Sequence, residues 1–306
     1  MAGIDTVWVL SGGGANGAYQ NGFLQRLMMA AEEGNIPEPD AVVGTSVGAL
    51  NGSVICQHPK GKIREAREQL DSYWAQIRSN RDVYRPYLLG LVPSAFLMFV
   101  LKIKRGLNHT KPLRKLVRSE LDLGKFDSSA RHFACNAVAI GQESETRWFE
   151  SGDPNLVEGV LASSAFPIFF EPVKIDGTWY TDGGVRDTTA IGKAIDLGAK
   201  DITVIGCSPD QMSFASKAPK GLDYLRRTVH ILLDESDKGD FQAAQLVNEL
   251  VKAGSPLAEA KGWRLVSLKE ARPEKFLGDS LDFSRSKNTE LRTLGYRDAE
   301  QWLRSL

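Results

Sequence analysis

Cysteine is scarce in this chain. Cys56, Cys135 and Cys207 are the only three among 306 residues, and no two share a CxxC spacing. An odd, scattered set builds no disulfide framework and reads as reduced, buried thiols. An excess of either charge is also missing, since Lys plus Arg and Asp plus Glu number 38 each. Nucleic-acid binders usually carry a basic surplus, so no nucleic-acid partner is expected, and any attraction to a membrane must come from a local patch. No basic start precedes an apolar run: Met1-Ala2-Gly3-Ile4-Asp5 is followed by a short apolar stretch over 6–10, unlike a secretory signal. The longest apolar stretch, residues 88–101, falls short of the ~20 residues a spanning helix needs. These absences predict a cytoplasmic protein. Repeats, low-complexity tracts and long linkers are missing too, so one domain over 1–306 is the simplest organisation.

What is present is an ordinary globular composition, 42% hydrophobic and 25% charged. Val7-Trp8-Val9-Leu10 is β-rich and stops at Ser11-Gly12-Gly13-Gly14. A helix follows over 16–33, with Tyr19, Phe23, Leu24 and Leu27 on one face, closed by Gly34 and Pro37. Ala41-Val42-Val43 reads as a second buried strand, with a helix starting near Ser46 and a charged helix over 61–78. Strands are expected at 132–140, 146–149, 178–180, 201–206 and 263–268. Helices are expected at 155–162, across 227–233 and 241–253, and at 298–303. Strands alternating with helices predict an α/β fold with a mostly parallel sheet covered on both faces.

Gly44-Thr45-Ser46-Val47-Gly48 lies between a strand and a helix, the setting of a nucleophile elbow. Gly44 and Gly48 remove side chains that would collide at a sharp turn. The turn lifts the Ser46 hydroxyl to a helix N-terminus, where developing negative charge is favoured. The alternative is a Gly/Ser turn with Ser46 as a helix cap. Gly12, Gly13 and Gly14 offer consecutive backbone N–H groups near a helix start, suited to an oxyanion. The same stretch, Gly12-x-Gly14-x-x-Gly17, also fits a dinucleotide fingerprint. That fold wants an acidic residue ending the second strand, whereas Asp40 precedes the strand here.

A reactive serine needs a base. The four histidines are His58, His109, His132 and His230, and none sits in a loop that would aim it. His230 alone is late enough for a Ser-Asp-His order, and it lies within an apolar run. Asp182-Gly183-Gly184, turning out of a strand, supplies an aspartate that can take the proton directly. Its alternative reading is a tight turn with a local backbone acceptor.

These three motifs, in this order, resemble patatin-like phospholipases. Ala162-Ser163-Ser164-Ala165-Phe166-Pro167, running into Phe170-Glu171-Pro172-Val173, is similar to the segment before that family's aspartate. The resemblance covers about residues 5–206, with 207–306 looser apart from Gly295-Tyr296-Arg297-Asp298-Ala299. It implies a three-layer α/β/α fold, a Ser46–Asp182 dyad and an oxyanion hole at Gly12, Gly13 and Gly14. It also implies hydrolysis of lipid esters, of phospholipase A or lysophospholipase type, without metal or cofactor. Asn16 stands where the family commonly carries Arg or Lys, and Asp187-Thr188-Thr189-Ala190 replaces its frequent Asn-x-Pro. An acyltransferase using the same dyad and a non-catalytic lipid-binding module are the alternatives. Within residues 84–106, Tyr87, Leu88, Leu89, Leu91, Val92, Phe96, Leu97, Met98, Phe99 and Val100 are apolar, and Lys102, Lys104 and Arg105 follow. That segment is a candidate peripheral membrane contact or a roof over the acyl pocket, against an ordinary buried helix.

Overall fold

The computed structural model describes residues 3–87, 105–141, 144–209 and 222–306. Its centre is an eight-stranded sheet of β1 (Thr6–Leu10), β2 (Ala41–Gly44), β5 (His132–Ala139), β6 (Thr146–Glu150), β7 (Val173–Ile175), β8 (Thr178–Asp182), β9 (Asp201–Ile205) and β10 (Ser267–Ala271). A separate two-stranded pair joins β3 (Arg85–Pro86) to β4 (Asn108–His109). The order β10-β9-β1-β2-β5 is parallel, and β5-β8-β7 continues antiparallel with β6 also antiparallel to β5.

Side chains of β1 alternate between two cores, as a sheet covered on both faces requires. Trp8 and Leu10 join one core with α1 (Gly17–Glu32), α2 (Val47–Cys56), α3 (Ile63–Ala75) and α4 (Lys111–Glu120). That layer also holds α5 (Leu123–Ser129), α6 (Leu156–Ser163) and α10 (Arg285–Arg304). Val7 and Val9 face the other core, built on α7 (Ile191–Asp196) and the second half of α8 (Leu222–Lys252). The short α9 (Pro256–Lys261) follows α8. The fold is therefore three-layer α/β/α with a mostly parallel sheet.

The arrangement on β5 positions the site. β2 runs parallel along β5 and ends with Gly44 opposite Cys135. β8 runs antiparallel and ends with Asp182 opposite Ala137. Because β6 occupies the other edge over this stretch, β2 and β8 share one edge and meet end to end. The residues that leave these two strand ends are delivered to the same place.

The last strand and the final helix differ most from the sequence reading. The last strand is Ser267–Ala271 instead of 263–268, because register with β9 places Ala271 beside Ile205, while Val266 pairs with the Asn248 side chain of α8. The final helix starts at Arg285, well before 298, since its first turns carry few apolar residues. The hairpin strand β7 and helices α4 and α5 had no clear signal. The apolar part of 84–106 at 88–104 lies outside the described residues.

Candidate active site

Ser46 caps α2 with φ 56° and ψ −121°, a conformation that costs a non-glycine residue about 1–3 kcal/mol. The neighbours hold it there. A Cβ on Gly44 would run into the Gly48 backbone, and one on Gly48 into the Leu10 carbonyl, so the elbow closes only with glycine at both positions. The Ser46 amide donates to Ser163 Oγ at 2.9 Å, and Ser164 Oγ donates to the Ser46 carbonyl at 3.2 Å. Two consecutive hydroxyls thus clip both backbone polar groups of the strained residue. The next residue of that segment, through the Ala165 carbonyl, accepts the Asp182 amide at 3.1 Å and the Thr181 hydroxyl at 2.8 Å.

Asp182 ends β8 with 3% of its surface exposed. Its Oδ1 accepts the Gly184 amide at 2.8 Å. Burial pushes the carboxyl pKa up to about 7, against the lowering effects of the Ser46 hydroxyl and the Gly184 amide. Oδ2 is buried and has no hydrogen bond of ordinary geometry, although the serine is near enough to bias the ionisation. A buried carboxyl poised near neutrality beside a serine is suited to take and return a proton.

Asn136, fully buried on β5, ties the two halves together. It accepts the Thr45 hydroxyl at 2.9 Å and donates to the Asp187 carbonyl at 3.0 Å. Thr45 Oγ1 also reaches that carbonyl at 3.1 Å. The Asp187 carbonyl is thus the shared acceptor that joins this loop to Thr45 and Asn136.

The three glycines are not equivalent. Gly12 N–H donates to the Thr188 carbonyl at 3.1 Å, whereas the amides of Gly13 and Gly14 donate to no acceptor among the described residues. All three line one cavity with Ser46 and Asp182, about 1120 Å³ including its mouth. Its depth is apolar, with Leu50, Trp74, Ile77, Leu113 and Phe170 among the lining residues. Asp40 sits at the opposite end of β1, accepting the Asp5 and Thr6 amides at 3.0 and 2.9 Å. That position rules out a ribose-binding acid beside the glycine loop.

The sequence pattern of patatin-like phospholipases matches residues 8–195. This chain belongs to the patatin-like phospholipase family. A relative in Escherichia coli (strain K12), the uncharacterized protein YjjU, is 29% identical over 208 residues, 67% of this chain and 53% of the relative. The chain thus spans about half the length of that curated relative. Among solved structures, VipD from Legionella pneumophila is similar over 98% of this chain and 67% of its own (TM-score 0.44, 16% identity). ExoU, solved with SpcU from Pseudomonas aeruginosa, is matched over 78% of this chain and 51% of its own (TM-score 0.29, 16% identity).

Three of the four histidines stand apart from the cavity. His58 bonds Gln69 at 2.7 Å, His132 bonds Glu150 at 2.9 Å, and His109 lies against Tyr87 with ring centroids 5.7 Å apart. None of these three lines the cavity, and the His230 side chain lies outside the described residues. Sequence reasoning missed the roles of Asn136, Ser163 and Ser164. It also missed Phe276, Ser280, Leu281 and Phe283, which line the cavity from the C-terminal portion. The Ser163-Ser164 pair was visible within a family-like segment. The other positions carry no pattern, because they act through the fold and not through a local motif. No helix among the described residues is long and apolar enough to cross a membrane.

Proposed function

We propose that this chain is a lipid acyl hydrolase, of phospholipase A or lysophospholipase type, with Ser46 as nucleophile and Asp182 as base. The observation that carries the reading is the buried carboxyl, with its pKa pushed up to about 7, beside a serine held on a strained elbow. Ser46 Oγ attacks the ester carbonyl while its proton passes to Asp182. The Gly13 and Gly14 amides hold the oxyanion, with Gly12 in a supporting role through its bond to Thr188. Collapse breaks the bond to the alcohol, which leaves with the proton from Asp182. Asp182 then takes a proton from water as it attacks the acyl-serine, the acyl–Oγ bond breaks, Asp182 returns the proton to Ser46, and the fatty acid departs.

The apolar cavity supports a fatty-acyl chain as the acyl group. A peripheral membrane contact through 84–106 belongs to the same proposal, supported by the run of cations at its end and by Val83, which lines the cavity just ahead of the segment. Ser46→Ala and Asp182→Ala are each expected to abolish hydrolysis of p-nitrophenyl butyrate while retaining the parent's circular dichroism spectrum. Substantial turnover by the serine variant would refute the mechanism.

A further inference from the structure

Three helices each give one buried side chain to a single chain of hydrogen bonds. Gln20 lies in the first turn of α1, Asn51 on α2 and Trp74 on α3. The Trp74 indole N–H donates to Asn51 Oδ1 at 2.8 Å. Asn51 Nδ2 donates to Gln20 Oε1 at 2.9 Å and to the Gly17 carbonyl at 3.4 Å. Gln20 Nε2 donates to the Ile205 carbonyl at 2.8 Å and to the Ser11 carbonyl at 3.3 Å. An indole N–H only donates and a backbone carbonyl only accepts, so both carboxamides have a single orientation. Buried amides are costly unless paired, and here both are paired through oxygen and nitrogen alike.

One end of this chain is the loop that leads into the open amides. The Ser11 carbonyl and the Gly12 N–H belong to one planar peptide group. Gln20 holds the carbonyl, and the Thr188 carbonyl accepts the N–H at 3.1 Å, so the plane is pinned at both edges. The Gly13 and Gly14 amides follow at once. Glycine backbone is permissive, so these residues do not fix their own N–H directions, whereas a pinned peptide ahead of them does. The other end of the chain is Trp74, which lines the apolar depth of the cavity that Ser11 also lines. Buried atoms thus join the wall that meets the acyl group to the loop that meets the oxyanion.

We propose that Gln20 is a positioning residue for the oxyanion loop, and that Asn51 and Trp74 hold it in place from the wall of the acyl cavity. The inference rests on the reading of Gly13 and Gly14 as oxyanion donors to the Ser46 adduct, and it adds the residues that aim them.

Gln20→Met keeps the length of the side chain and removes its polar atoms. It is expected to lower kcat on p-nitrophenyl butyrate about 10–100-fold with KM little changed. Inhibition by butylboronic acid, whose tetrahedral adduct presents an oxyanion, should weaken by a similar factor. Trp74→Phe keeps a ring and removes the N–H, and its kcat is expected to fall about fivefold. That fall should vanish in the Gln20→Met background, because both changes break one chain. Parent kcat in folded Gln20→Met, or a change in KM alone, would overturn the inference. So would a Trp74→Phe effect of equal size in both backgrounds. Should Gln20→Met not fold, Trp74→Phe decides alone: lowered kcat with weakened boronate inhibition supports the inference, and parent values of both overturn it. Ser46-dependent turnover with parent kcat in Gln20→Met defeats only this inference, whereas turnover by Ser46→Ala defeats the dyad reading beneath it.

Discussion

As the proposed base, Asp182 meets two opposing demands, for burial disfavours its charge and proton acceptance requires it. With the carboxyl pushed up to about 7, kcat/KM on a soluble ester is expected to fall about tenfold per pH unit below that value and to level off above it. The same displacement acts on stability. Between the ordinary carboxyl value near 3.9 and about 7, the folded chain keeps a proton that the unfolded chain releases. This group therefore subtracts stability as pH rises through that window, and the loss is complete above it. Asp182→Asn removes the effect. The variant is expected to be inactive and, at pH 8, more stable than the parent by roughly a few kcal/mol. The gap should close toward pH 4. Urea unfolding at both pH values measures it, and a parent that gains on the variant with rising pH would contradict the assignment. Ser163 offers a second test at this scale, because its hydroxyl is the acceptor for the Ser46 amide. Ser163→Ala leaves that buried donor unpaired and loosens the elbow, so kcat should drop about 10–100-fold with KM little changed. A KM effect alone would make Ser163 a substrate contact and not a positioning residue.

Helices α1 and α10 cross so closely that side chains are excluded at two points. A Cβ on Gly22 would meet the Arg292 backbone, and one on Gly295 would meet the backbones of Tyr19 and Phe23. Helix propensity alone makes Gly→Ala favourable by about 1 kcal/mol, but overpacking at such a contact costs about 1–3 kcal/mol. Gly295→Ala is therefore expected to lower the denaturation midpoint, and a raised midpoint would show that the crossing is looser than described. The elements were unequally legible in the sequence. β1, β2 and β9 stood out because both of their faces are buried, leaving unbroken apolar runs. α10 was seen only at its end, since packing through glycine leaves no apolar stripe to read. β10 starts four residues later and ends three later than read, because its burial alternates weakly and hydrogen bonding to β9, a non-local property, sets its limits.

At the scale of the whole molecule, residues after Cys207 do more than extend the chain. β10 pairs with β9, α10 packs on α1, and the Ala15 amide donates to the Ser280 carbonyl at 2.7 Å. These links support the proposal that 1–306 forms one domain. They also explain why the proposed catalytic residues were legible and the cavity was not. Ser46, Asp182 and the glycines sit at strand ends, where tight turns impose local patterns. Phe276, Leu281 and Phe283 reach the cavity only because a distant segment folds back over it. The most direct test of the central claim is to trap the acyl-enzyme. The protein is mixed with p-nitrophenyl butyrate, quenched in acid within the first turnovers, and its peptides are mapped by mass spectrometry. A butyryl group on the peptide containing Ser46, absent from Ser46→Ala, is the predicted result. A butyryl group on another residue, or steady hydrolysis by Ser46→Ala, would contradict the account.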